Sequence, residues 1–308
     1  MLRRAALLAL LVSLPLPPAV AQEPAPIEML GDEACRAVAE VYAYDATIPL
    51  EARVVEKTER DDYTREKIVF RGVNGFLVPC YLQLPPNSGP KNPCVLLLHG
   101  WSGSKENWWQ DGNYISGGEA RQALLAAGFA VLALDAQCHG DRIAENDFAP
   151  VNHYVDKSAQ GSPRRGYFSH VEIYIQTIRD YRRAIDYLAT RAEIDSTRIG
   201  VLGYSMGGTQ TFLLTGVEPR IKAAVAVAAP AESYKWSPIA PQNFVKAIGQ
   251  RPLMTIMGRT DSMCSVEHAQ ALQSLVPSTI KEQLFFDADH RLPSDYVSHA
   301  VGWFQKHL

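Results

Sequence analysis

Past the first twenty residues, no stretch of this chain is apolar for long enough to cross a bilayer. Basic residues are also sparse: 30 Lys and Arg stand against 33 Asp and Glu, for a net charge of −3. That balance offers no cationic patch for nucleic acid, and the pairs Arg164-Arg165 and Arg182-Arg183 read as solvated surface. The five cysteines, Cys35, Cys80, Cys94, Cys138 and Cys264, have no metal-ligand spacing. An odd number leaves at least one thiol over, and most are expected to be buried as small apolar residues. Internal repeats and low-complexity tracts are absent, and no motif calls for a metal or an organic cofactor.

The first residues carry an address instead. Arg3 and Arg4 precede an apolar stretch from Ala5 to Leu16, and Ala19-Val20-Ala21 closes it. A basic flank, a short apolar core and an A-x-A site describe a secretory signal cut after Ala21. The mature chain is therefore expected to be secreted or periplasmic, with no membrane association after cleavage. Residues 22–50 read as a loosely patterned leader with one short helix near Ala34 to Tyr42. Residues 51–308 have the length of one large domain.

Within that domain the apolar pattern changes character. Ala52 to Glu56, Thr64 to Phe70 and Phe76 to Leu84 read as antiparallel strands at a sheet edge, with Gly72 and Gly75 marking a turn. From Cys94 onward, short buried strands alternate with helical stretches. The strands are predicted at Cys94 to Leu98, Val131 to Asp135, Ile199 to Leu202, Ala223 to Ala228, Pro252 to Met257 and Leu284 to Phe286. The longest helix is predicted over Phe168 to Leu188, with Ser169 and Glu172 at capping-box spacing. Such alternation implies an α/β fold with a mainly parallel central sheet, antiparallel N-terminal strands and helices on both faces.

Gly203-Tyr204-Ser205-Met206-Gly207 sits where a strand passes into a helix, the setting of a nucleophile elbow. A serine hydroxyl is a poor nucleophile without a base and an orienting acid. Both follow in the order this fold requires, each after a predicted strand: Asp261 and then His290. Asp287 and Asp289 are the competing acids, the latter awkwardly adjacent to His290. The oxyanion donors are expected to be the backbone N–H groups of Met206 and Trp101. His99 is expected to brace its loop.

Polar, turn-rich residues 141–166 and the stretch 232–250 are expected to wall the pocket or form a small cap, since both follow strand ends on the catalytic side. Tyr204 and Trp236 are the expected substrate contacts, and Trp101, Trp108 and Trp109 are further candidates for lining the cleft.

Together these stretches resemble the α/β-hydrolase superfamily, and within it dienelactone-hydrolase-like and acetyl-xylan-esterase-like enzymes. The matching pieces are Leu98-His99-Gly100-Trp101, the segment from Asp135 to Arg142, Gly203 to Gly208, Gly258 to Asp261, and Asp289-His290. The resemblance implies that Asp135 and His139 brace the pocket. True dienelactone hydrolases carry cysteine at the elbow, so Ser205 points away from that substrate. The reading is a serine carboxylic-ester hydrolase for short-chain acyl esters, acetylated carbohydrate among them, with a small-molecule or carbohydrate ester as its partner. The alternatives are a serine peptidase or amidase of the prolyl-oligopeptidase-like group, and a catalytically silent hydrolase fold used for binding.

Overall fold

In the computed structural model, residues 26–60, 63–86, 89–147 and 168–308 are described. The signal sequence expected at 1–21 lies outside them, as does most of the stretch 141–166 expected to wall the pocket. Strands β1 (Arg53–Arg60), β2 (Tyr63–Arg71) and β3 (Leu77–Gln83) form an antiparallel meander. Strands β4 (Asn92–Leu98), β5 (Ala130–Leu134), β6 (Ile194–Tyr204), β7 (Ile221–Val227), β8 (Leu253–Gly258) and β9 (Lys281–Phe286) are mutually parallel. They make one sheet in the order β1-β2-β3-β5-β4-β6-β7-β8-β9.

The helices are α1 (Asp32–Ala39), α2 (Gly117–Ala126), α3 (His170–Leu188), α4 (Met206–Val217), α5 (Val245–Ile248), α6 (Val266–Leu275) and α7 (Tyr296–His307). Successive side chains of a strand face opposite ways, and β4 shows the result. Cys94, Leu96 and Leu98 join a core with residues of α3, α4 and α5, whereas Val95 and Leu97 join another with residues of α2 and α7. Helix α4 is buried from Met206 through Thr215. That explains why its sequence carries no charged residue, because a helix without a wet face needs no charged stripe.

The capping box at the head of α3 forms as expected. Glu172 N–H donates to Ser169 Oγ at 3.2 Å, and Ser169 N–H donates to the Glu172 carboxylate at 2.7 Å. Residues 26–50 are packed onto the domain. Arg182 donates to Tyr42 O at 2.8 Å, Arg183 donates to Ile48 O, and the Tyr42 hydroxyl donates to Pro238 O at 2.8 Å. The stretch 232–250 differs from a cap: Ile239, Ala240, Phe244, Val245 and Ile248 are core residues. These apolar residues cover α4, and Tyr234 and Trp236 are the exposed aromatic side chains of the stretch. All five cysteines are free, with Cys80, Cys94 and Cys264 buried.

Strand order places the site. The chain leaves β4 for β5 on one side, and β6 then pairs on the other. In open α/β sheets such a reversal opens a crevice at the carboxyl ends of the strands. Leu98 is in register with Gly203, so the residues just beyond them, Gly100 and Ser205, emerge side by side.

Candidate active site

Ser205 occupies the sharp turn between β6 and α4, with φ 57° and ψ −116°. A positive φ is rare for a residue with a side chain, and strain of this kind collects at functional sites. The turn closes only because its neighbours lack side chains. A Cβ on Gly203 would strike the Gly207 carbonyl, and one on Gly207 would strike the Leu98 carbonyl. Backbone bonds lock it: Ser205 N–H donates to Val227 O at 2.9 Å, and Thr209 N–H donates to Ser205 O at 3.1 Å.

The His290 ring bridges two loops. Its Nε2 lies 2.8 Å from Ser205 Oγ, and its Nδ1 lies 2.8 Å from Asp261 Oδ2. The Asp261 side chain is fully buried. Its other oxygen accepts from Met263 N–H at 2.8 Å, so both oxygens are occupied and the carboxylate is fixed. Two loops approach this closely because β8 ends in glycine: a Cβ on Gly258 would meet the carbonyls of Ala288 and Asp289. The competing acids are turned elsewhere. Asp287 is exposed and pairs with Arg259 at 3.1 Å, while Asp289 accepts from Arg291 N–H at 2.8 Å.

Met206 opens α4, so its N–H has no partner inside the helix and lies at the positive end of the helix dipole. Trp101 follows Gly100, and a Cβ on Gly100 would be 3.3 Å from Ser205 Cβ. The expected donors therefore come from segments that flank the serine on both sides. The Trp101 ring is half exposed and rests against His139 and His170, each at a centroid distance of 5.0 Å.

Behind the loop, His99 accepts from Ala136 N–H at 3.0 Å through Nε2 and donates from Nδ1 to Gly100 O at 2.8 Å. Burial, helped by the neighbouring His139, holds its pKa down to about 4. A neutral ring with one fixed tautomer is the form those two bonds require. Asp135 braces the same region: it accepts from Lys105 N–H at 2.8 Å, from Lys105 Nζ at 2.7 Å and from Asp141 N–H at 2.9 Å.

Three expectations about the cleft need correction. Tyr204 has no exposed surface and so makes no substrate contact. Its hydroxyl donates to His290 O and accepts from Leu292 N–H, each at 2.9 Å, and so holds the loop that carries His290. Residue alternation along β6 sends this ring into the layer of α2 and α7 rather than the crevice. Trp108 is fully buried in that same layer. Trp109 packs edge-on against Tyr81 and donates to Gln83 Oε1 at 3.0 Å, anchored to β3. Trp101 and Trp236 remain exposed.

A model of the alpha/beta hydrolase family matches residues 95–303. The chain belongs to that family. Among solved structures, acetyl xylan esterase 1 from Thermoanaerobacterium sp. superposes with a TM-score of 0.69 at 17% identity, covering 92% of this chain and 95% of that one. This likeness is one of fold. In sequence, cutinase 2 of Thermobifida cellulosilytica is 28% identical over 141 residues, 42% of this chain and 50% of that protein. The bis(hydroxyethyl) terephthalate hydrolase of Streptomyces coelicolor is 26% identical over 206 residues, 63% of this chain and 59% of that protein. The matches to curated relatives thus span between 39% and 59% of their length. Among the described residues no helix is long and apolar enough to cross a membrane.

Proposed function

We propose that this hydrolase-family chain is an exported serine carboxylic-ester hydrolase whose substrates are short acyl esters, including acetates carried on carbohydrate. The observation that carries the reading is the unbroken chain from Ser205 Oγ through the His290 ring to the buried Asp261 carboxylate, each link 2.8 Å.

His290 takes the Ser205 proton as Oγ attacks the ester carbonyl, and Asp261 stabilises the imidazolium that results. The carbonyl oxygen becomes negative while the N–H groups of Met206 and Trp101 face it, a term that dominates many such barriers. The imidazolium then gives its proton to the departing alcohol. Water, activated in turn by His290, releases the acid from the acyl-enzyme. Trp101 and Trp236 are both exposed and offer flat apolar faces on which a sugar ring can stack. The relatives named as acetyl xylan esterase and cutinase support an ester, and export past residues 1–21 would bring the enzyme to polymeric material.

A panel of p-nitrophenyl esters of increasing acyl length, run beside acetylated xylan with released acetate measured, tests the reading. Acetate esters should turn over fastest, and a fluorophosphonate probe should label Ser205. A chain that takes no label and hydrolyses none of the esters would be a binding protein instead.

A further inference from the structure

One hydroxyl beside Ser205 has no role in the scheme above. The Tyr114 hydroxyl lies directly against Gly100, closer than any other heavy atom to where that residue would carry a Cβ; Ser205 Cβ is next. It makes no hydrogen bond among the described residues.

 By contrast, the Tyr204 hydroxyl is bonded to His290 O and Leu292 N–H, and the Tyr296 hydroxyl to Ile115 O.

Its position is fixed from both sides. Asn113 Oδ1 accepts from Ile115 N–H at 3.1 Å and Gly117 N–H at 3.0 Å, while Asn113 Nδ2 donates to Asn107 O at 2.5 Å. The Tyr114 ring packs edge-on against Tyr204 at 5.9 Å, and Tyr204 packs edge-on against His290 at 6.2 Å. The phenol ring and the imidazole thus both rest on Tyr204, with the hydroxyl at Gly100 beside the serine. Burial raises its pKa above the ordinary phenol value, so it is a protonated donor at neutral pH.

Resting on the esterase reading, we propose that Tyr114 is a catalytic residue that donates a hydrogen bond to the alcohol-side oxygen of the bound ester. When the tetrahedral intermediate collapses, the carbon–oxygen bond to the alcohol breaks and its electron pair stays on that oxygen. The proton comes from His290 Nε2; Tyr114 keeps its own and shares it with the developing alkoxide. A rigid donor aimed at charge that appears only in the transition state lowers the barrier without tightening ground-state binding.

The need for such a donor grows with the basicity of the leaving alcohol. The test is kcat/KM of the full chain and of Tyr114→Phe on acetate esters running from p-nitrophenyl through phenyl to ethyl. The variant loses one unbonded oxygen and keeps the ring, so the packing against Tyr204 is retained. The loss should steepen along the series and reach about ten- to a hundredfold on the alkyl ester. An equal loss on every ester, or none, overturns the assignment. If the unaltered chain hydrolyses no acetate in a Ser205-dependent way, the esterase reading itself fails and takes this proposal with it.

Discussion

The hydroxyl of Tyr204 donates to the main-chain oxygen of His290 at 2.9 Å, so the residue before the elbow serine holds the backbone of its hydrogen-bonding partner. Two loops 86 residues apart are thereby set against each other by a buried phenol that also accepts from Leu292 N–H.

Tyr204→Phe keeps the ring and removes both bonds. Leaving buried backbone groups unpaired costs about 1–3 kcal/mol, which a urea titration measures. The imidazole should also drift, so kcat on p-nitrophenyl acetate should fall on the order of tenfold while KM changes little. A variant with lowered stability and unchanged kcat would show that the phenol only packs.

Asp261→Asn and Asp287→Asn separate the two acids. The first should lower kcat by about four orders of magnitude, because the amide favours the wrong imidazole tautomer. The second removes an exposed pair with Arg259 and should stay within a factor of about two. The reverse ranking would move the acid to Asp287.

Gly258→Ala inserts a methyl group where the carbonyls of Ala288 and Asp289 already stand. Overpacking of this kind costs about 1–3 kcal/mol. The strain pushes the His290 loop from Asp261, so the activity loss should exceed what the stability loss explains at temperatures well below the melting point. Parent-like turnover in the variant would mean that the loops tolerate separation.

His99 makes the fold acid-sensitive. Its folded pKa, about 4, lies below the unfolded value of about 6.5, so the unfolded chain binds the proton more readily between them. The linked stability is therefore present above pH 6.5 and is lost as pH falls towards 4, roughly 3 kcal/mol in all. His99→Asn should be less stable than the parent at pH 7, with the gap narrowing as denaturant midpoints are followed to pH 4.5. A gap that does not change with pH would refute the linkage.

The succession of strands along the chain, the capping box at Ser169 and the Ser205, Asp261, His290 sequence were legible, because each rests on local patterns. Alternation marks a strand, spacing marks a helix face, and the elbow needs its glycines within two residues of the serine. Tyr114 and the bracing role of Tyr204 were not legible. The loop around Tyr114 has no period, and its hydroxyl meets Gly100 beside a serine far along the chain. For Tyr204, adjacency to the nucleophile suggested a cleft contact, whereas strand alternation points the ring into the opposite layer.

By itself, then, the sequence determined which elements form and which residue types could supply a nucleophile, a base and an acid. Tertiary structure decided which acid reaches the imidazole: the chain favours Asp261 and leaves Asp287 and Asp289 as competitors, and of the three it is the Asp261 carboxylate that is buried 2.8 Å from His290 Nδ1. It also decided which tryptophans face solvent, since exposure depends on what packs above a residue and not on its neighbours in sequence. Local propensity acts over a few residues; the distances that make a site are closed by the folding of segments far apart in the chain.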